Sequence, residues 1–416
     1  MATGITRANV AKLRLHWVFD SGAPFYSGPI VANGVLYTMN AVGELSALDA
    51  ASGRRLWHRR FDRNAMTPAY HDGTLFVSTR DAVHNHPSVF YALDPATGAT
   101  RWQVSIPGGT HSSPVFANGF VYVAVALGDA PFCDAGGVHL FDERTGAPGP
   151  VWLTSAQDQP DGGGVWGALS LTPDGESLLY GTGNTCHNSP ATANAIVAIT
   201  PYATLRWADN TADPLADDDV AGGVMVLGND GYVIGKNGVF YHVDVRSGTI
   251  LWSLSLGAPV GFGGFATPSY TESTLIVSGG FSRLAGAAPT GGMLYGLTTA
   301  GARKWEIRTK VPAEGGWIAT TEDLAFTMLD NSVDALDPST GKILWSYTTQ
   351  GYPNSQTGAI VTPEGVFADD IKGYLYAFTI PKPGDAAPDT HELGPVRRGM
   401  PAQNDELPNL PKHCAL

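Results

Sequence analysis

The sequence predicts an all-β protein, an eight-bladed β-propeller of four-stranded antiparallel blades closed by its own N-terminal strand. Three observations carry that expectation. The segments ALDAASGRRLW (47–57), ALDPATGATRW (92–102), HVDVRSGTILW (242–252) and ALDPSTGKILW (335–345) copy one pattern: an apolar run ending in Asp, a turn closed by Ser or Thr and Gly, and a second run ending in Trp. Degenerate copies are LFDERTGAPGPVW (140–152), AITPYATLRW (198–207) and GLTTAGARKW (296–305). Eight of the ten tryptophans, at 17, 57, 102, 152, 207, 252, 305 and 345, therefore recur at gaps of 40 to 55 residues. Upstream of most copies lies a second hairpin with an Asn-Gly or Asp-Gly turn, as in GPIVANGVLYTM, TPAYHDGTLFVS and SPVFANGFVYVA.

Each unit thus holds four short strands, and a sheet of that size cannot bury both faces unless neighbours pack around a ring. The last unit, GAIVTPEGVFADDIKGYLYAFTI (358–380), supplies three strands and no Trp, whereas LRLHWVFD (13–20) carries a Trp with no strands before it. Pairing the two ends in one blade removes the exposed sheet edges. Residues 1–380 are expected to form the propeller. The Pro-rich, aperiodic stretch 381–416 is expected to wrap its surface or stay disordered.

Gly and Pro, 51 and 29 of 416 residues, fit a chain built of turns, and 43% hydrophobic against 15% charged residues fits a large core. A net charge of −13 without a basic run argues against a nucleic-acid partner or an anionic membrane surface. The longest apolar stretch, Phe120 to Leu127, is far too short for a membrane span, and Met1 to Val10 has no apolar signal core, so a soluble chain without an attached export signal is expected. Three cysteines, without CxxC or CxxCH spacing, exclude a disulfide-dense scaffold and covalent haem. Cys133 and Cys186 occupy corresponding loops of consecutive blades, which predicts a disulfide and, with it, an exported protein.

The most informative stretch is GGVWGALSLTPDGESLLYGTGNTC (163–186), which contains Trp166, a tryptophan outside the repeat register, and ends a strand at Asn184. With its Trp-Gly and its Tyr-x-Gly-Thr-Gly-Asn-like run eighteen residues apart, this stretch resembles the quinoprotein alcohol dehydrogenases, propellers that hold pyrroloquinoline quinone (PQQ) and a cation on their axis. The branch lacking a fused haem domain, that of polyvinyl alcohol dehydrogenase, is the most similar. The resemblance implies that Trp166 floors the quinone and Asn184 ligates the metal. It continues at DDDVAGGVMVL (217–227), where the family carries its catalytic Asp, and at Lys236, where it carries a cation touching the quinone oxygens. Asp219 aligns best as base, with Asp217 as the alternative or as an added metal charge. Asp129 stands where the family has a metal-binding Glu, one methylene shorter. His111 and Trp317 precede innermost strands and are further candidates for the cofactor mouth.

These residue types suit the chemistry that the resemblance implies. A planar quinone wants a flat apolar floor, and a hard cation (Ca2+, or a lanthanide) wants carboxylate and amide oxygens. A lysine beside the reactive carbonyl stabilises developing charge, and a carboxylate takes the alcohol proton. The expected activity is oxidation of a small or polymeric alcohol, with an external electron acceptor such as a cytochrome, in the periplasm or outside the cell. The competing expectation is a non-catalytic propeller that binds proteins, of the outer-membrane assembly type.

Overall fold

Each Asp of the repeat builds its own turn. Asp49 Oδ1 accepts hydrogen bonds from the Ser52 amide at 2.8 Å and hydroxyl at 2.6 Å, and Asp142 takes Thr145 in the same way at 2.8 and 2.6 Å. The Gly that follows then adopts a left-handed conformation, as at Gly98 with φ +71°, which a Cβ would strain. The strand after the turn carries Trp as its third residue and runs on past it, with the indole facing a small residue across the ladder: Trp57 opposite Ala47, Trp102 opposite Ala92, Trp345 opposite Ala335 and Trp305 opposite Gly296.

The computed structural model describes residues 3–62, 66–79, 88–126, 133, 135–156, 158–188, 190–211, 218–257, 266–279, 291–310, 317–353 and 357–381. Asp129, Asp217 and all but the first residue of the 381–416 stretch lie outside them. Eight four-stranded antiparallel sheets form the ring. Blade one comprises Ile30–Ala32, Val35–Met39, Glu44–Asp49 and Arg55–Arg60, and blade two Ala69–His71, Thr74–Ser78, Ser88–Leu93 and Thr100–Ile106. Blade three is Val115–Ala117, Phe120–Val125, Gly137–Asp142 and Pro148–Leu153; blade four is Ser170–Leu171, Leu178–Gly181, Ala195–Ile199 and Leu205–Asn210. Blade five runs Met225–Leu227, Asp230–Ile234, Val239–Asp244 and Ile250–Ser255, and blade six Ser269–Thr271, Thr274–Gly279, Met293–Leu297 and Arg303–Arg308. Blade seven consists of Ala319–Thr320, Ala325–Leu329, Ser332–Leu336 and Ile343–Thr348.

Blade eight closes the ring as the sequence predicts: Ile360–Thr362, Gly365–Asp369 and Tyr374–Thr379 are completed by Arg14–Asp20, which pairs antiparallel from Arg14 opposite Thr379 to Asp20 opposite Tyr374. The second and third strands of each blade are buried on both faces by neighbouring blades, and fourth strands such as Ile250–Ser255 alternate, as outer strands must. Turns joining strands one to two and three to four lie on one face of the ring. Loops joining strands two to three, and the links between blades, lie on the other.

A girdle of indoles fastens blade to blade. Trp17, Trp57, Trp102, Trp207 and Trp305 each donate Nε1–H to a carbonyl in the Asp turn of the next blade, at Ala50 (3.2 Å), Pro95 (3.0 Å), Glu143 (3.1 Å), Val245 (3.1 Å) and Pro338 (2.8 Å). The turn's glycine lies flat on the same ring: a Cβ on Gly98 would stand 2.8 Å from Trp57. Trp345 closes the set by donating to Leu13 O at 3.1 Å, so the N-terminal strand is held from both sides. Deleting residues 1–20 removes that strand and bares the edge Tyr374–Thr379; the expected outcome is loss of soluble monomer, measured by size-exclusion chromatography.

Asp369 ends the second strand of blade eight with no exposed surface, and neither carboxylate oxygen has a hydrogen-bond partner among the described residues. Burial, reinforced by the adjacent Asp370, pushes its carboxyl well above the usual range. Burial raises the Asp370 carboxyl too, but its oxygens are partnered: they accept from the Gly351 amide at 2.8 Å, the Tyr376 hydroxyl at 2.9 Å and the Lys372 amide at 2.9 Å. A carboxyl raised in the folded state stabilises the fold at low pH, and that contribution is lost as pH rises from the unfolded value, about 4, toward the folded one. Asp369→Asn is therefore expected to raise the melting temperature at pH 8 more than at pH 4, as read by calorimetry at both pH values.

Candidate functional site

Trp166 lies in the link between blades three and four, ahead of the innermost strand Ser170–Leu171. Its indole is half-buried, and its Nε1 is buried without a hydrogen-bond partner among the described residues. His111, from the link entering blade three, packs its ring against the indole, with centroids 4.3 Å apart at 60°. Segment 161–164 runs antiparallel to 183–187. Gly183 N donates to Gly164 O and Gly163 N to Asn184 O, both at 2.8 Å, and Cys186 N donates to Asp161 O at 3.0 Å. This ribbon leads outward from the Trp166 side chain, with Asn184 on its second strand.

Asp219 and Lys236 reach the same place from the next two connections. Asp219 is fully buried; its Oδ1 accepts from the Asn184 amide at 2.8 Å, and its Oδ2 is ion-paired with Lys236 Nζ. The Lys236 amide donates to Asp219 O at 2.8 Å, and Val220 N to Thr182 O at 3.1 Å, so strands of blades four and five are stitched together under the carboxylate. Gly183 fills the space between: a Cβ there would stand 2.9 Å from Trp166 Nε1 and 3.1 Å from Asp219 Oδ1. Trp166, Asn184, Asp219 and Lys236 are thus one cluster, with His111 on its flank. Trp317 is on the same face elsewhere on the ring, where its indole lies 3.0 Å from a Cβ built on Gly28 and its amide donates to Thr357 O at 3.2 Å, at the junction of blades seven, eight and one.

The predicted disulfide is present. Cys133 and Cys186 are joined with Cα atoms 5.9 Å apart, tying the loop of blade three to the ribbon of blade four. Beside it Asp161, 2% exposed, accepts from the His187 amide and Nδ1, both at 2.9 Å, and from the Asn188 amide at 2.6 Å. Burial opposes ionisation of this carboxyl, but the donors of Asn188 and His187 outweigh it and hold it below the usual range. Both thiols are consumed by the bond, so Cys133, Cys186 and His187 do not form a metal centre although they lie together. Asp161 and His187 were not legible as a pair in sequence; the only signals were the glycines after Asp161 and the Cys-His step. The disulfide closes a 53-residue separation, worth roughly 4 kcal/mol of chain entropy. Reduction, or the double substitution Cys133→Ser with Cys186→Ser, is expected to lower the melting temperature by several degrees in calorimetry with and without reductant.

The family model described as outer membrane protein assembly factor BamB matches residues 43–259 and 134–379, and that described as the glucose/ethanol/alcohol dehydrogenase β-propeller domain matches residues 1–66. The chain is 24% identical to the dehydrogenase subunit of the quinone alcohol dehydrogenase of Gluconobacter oxydans, over 89% of this chain and 67% of that protein. It is 23% identical to the polyvinylalcohol dehydrogenase of a Sphingopyxis species, over 82% and 64%. The chain thus spans about two thirds of the length of these relatives. The structure superposes on the quinohemoprotein alcohol dehydrogenase of Comamonas testosteroni with a TM-score of 0.74 at 16% identity, covering 92% of this chain and 78% of that one, which is a likeness of fold. The chain therefore belongs to the quinoprotein-like propeller family whose model is described as outer membrane protein assembly factor BamB, and it is related to the PQQ-dependent alcohol dehydrogenases.

Proposed function

We propose that the protein is a PQQ-dependent dehydrogenase that oxidises an alcohol or polyol. The observation that carries this reading is the convergence of Trp166, Asn184, Asp219 and Lys236, from successive connections, on one buried cluster. The residues fit the group that the reading requires. Trp166 offers a half-buried aromatic surface and an unpartnered indole N–H, and Asn184 and Asp219 offer oxygen donors next to a cationic Lys236. A bound quinone, polarised by Ca2+ or a lanthanide, supplies the hydride acceptor, and Lys236 offsets the negative charge that develops on its oxygen.

The chain's own residues do the rest. Trp166, backed by His111, excludes water from one side of the site, and Trp317, elsewhere on the same face, is a further candidate for its mouth. Asn184 and Asp219 hold the cation, with Asp129 and Asp217 as the further carboxylates, Asp217 standing as the alternative base. Asp219 takes the alcohol's hydroxyl proton on Oδ2, the oxygen that Lys236 neutralises in this structure. Asp219 is fully buried and Lys236 nearly so, which strengthens their pairing, so exchange of Lys236 for substrate at Oδ2 is the step that readies the base. The disulfide supports an exported location, and with it an external acceptor such as a cytochrome. Among the described residues no helix is long and apolar enough to cross a membrane.

The assembly-factor match over 43–259 and 134–379 favours a second reading, a propeller that binds proteins and retains a relic of the site. The two separate on cofactor binding and turnover. With PQQ and calcium, the wild type is expected to change the quinone absorbance and to oxidise an alcohol with an artificial acceptor. Asp219→Asn is expected to bind the quinone but lose about 10² to 10⁴ in turnover, whereas Trp166→Ala weakens quinone binding itself. No absorbance change at saturating calcium or lanthanide would move the protein to the second reading.

A further inference from the structure

Two of the repeat tryptophans, Trp152 and Trp252, donate to no carbonyl of the next blade among the described residues, and both face a turn one residue shorter than the rest. The ordinary turn closes from Asp49 N to Arg54 O, whereas the turns of blades four and six close from Thr200 N to Thr204 O and from Thr298 N to Ala302 O, each at 2.8 Å. At blade four the loss is covered: Trp152 is 7% exposed, and Tyr122 Oη donates to Pro201 O at 2.8 Å. At blade six it is not. Tyr232 Oη reaches Thr299 O only at 3.5 Å, and a Cβ on Gly301 would stand 3.5 Å from the Trp252 ring, against 2.8 Å for Gly98 on Trp57.

What remains between blades five and six is a surface pocket of about 540 Å³, on the face opposite Asp219 and lined by Trp252, Tyr232, Tyr270, His242 and Asp230. The His242 ring stacks on Tyr232 at 4.6 Å and 9° and sits 5.2 Å from Trp252. Its Nε2 lies 2.6 Å from Asp230 Oδ1, while its Nδ1 is buried with no hydrogen-bond partner among the described residues. Asp230 is 44% exposed at its side chain, leaving room for a ligand to meet its charge. Aromatic faces carry negative potential, and a carboxylate on the rim adds a full charge of the same sign. A ligand that matches both is an organic cation.

We propose that this pocket binds an organic ammonium group, such as a quaternary amine, between Trp252 and Tyr270 and against Asp230. The chain's net charge of −13 draws such ions toward it. The pocket is independent of the quinone reading: it lies on the other face and would serve a catalyst or a scaffold alike.

The test is a titration of full-length protein with choline, followed by the indole Nε1–H resonance of Trp252, which is assigned by its loss in Trp252→Phe. That resonance is expected to shift saturably. The uncharged carbon isostere 3,3-dimethylbutan-1-ol is expected to bind about threefold to thirtyfold more weakly, and Asp230→Asn to weaken choline by a factor in the same range. Tyr270→Leu provides the same readout where a Trp252 substitution does not fold. A parallel titration with N-acetyl-trimethyllysine amide tells a free cation from a protein side chain by which binds more tightly. Equal affinity for choline and its isostere, an unmoved Trp252 resonance, or choline binding unchanged in both Asp230→Asn and Tyr270→Leu would overturn the proposal.

Discussion

The docking of outer-strand indoles onto the Asp turn of the next blade, made by Trp17, Trp57, Trp102, Trp207 and Trp305, is the contact on which the ring depends. A four-stranded blade has two apolar faces and cannot fold alone, so its stability is a property of the junction. There one tryptophan covers a glycine, donates to a carbonyl and buries its ring at once. Truncating such a Trp costs about 3 to 5 kcal/mol, well above the roughly 1 kcal/mol of a single hydrogen bond. The glycine and the tryptophan are therefore one device, since a side chain at Gly98 would occupy the place of the Trp57 ring. Pairing of Arg14–Asp20 with Tyr374–Thr379, locked by Trp17 and Trp345, turns the row of blades into a closed circle.

Closure also sorts the connections. The turns that receive the indoles are confined to one face, where they are short. The opposite face is free to vary, and it carries Trp166, Asn184, Asp219, Lys236 and the Cys133–Cys186 bond. Buried charge is concentrated there and kept in pairs: Asp219 with Lys236, and Asp161 with its three donors. Asp369 is the exception, a fully buried carboxyl without a hydrogen-bond partner among the described residues, tolerable only in its neutral form.

How much of this was legible follows from how local each feature is. The strand pattern, the Asp turn, the glycine and the tryptophan all lie within a dozen residues of one another, so the blades, their number and the closing strand could be read directly. The spacing of Trp166 from Asn184 was legible through its family resemblance, and it led to residues that the fold does bring together. Trp317 was assigned on its position before a strand, and its contacts lie elsewhere on the ring, with Gly28 and Thr357. Asp161 with His187 escaped notice because 26 residues separate them and only the ribbon pairs them. Asp369 reads as half of an ordinary acidic turn, and its burial comes from the packing of the surrounding blades. The missing residue at Thr298–Ala302 was visible as degeneracy of the repeat, but its consequence, a looser seat for Trp252, exists only across a blade junction.

The family likeness joins alcohol dehydrogenases and outer membrane protein assembly factors, and the proposed function turns on the buried Asp219–Lys236 pair. As it stands the pair is closed, each charge satisfied by the other. A crystal structure of the protein saturated with PQQ and calcium tests the account most directly. The predicted result is quinone density against the Trp166 indole, a cation beside Asn184 and Asp219, and Lys236 Nζ drawn away from Asp219 Oδ2. A mouth without ligand density at saturation, with the Lys236–Asp219 pair intact, would contradict it.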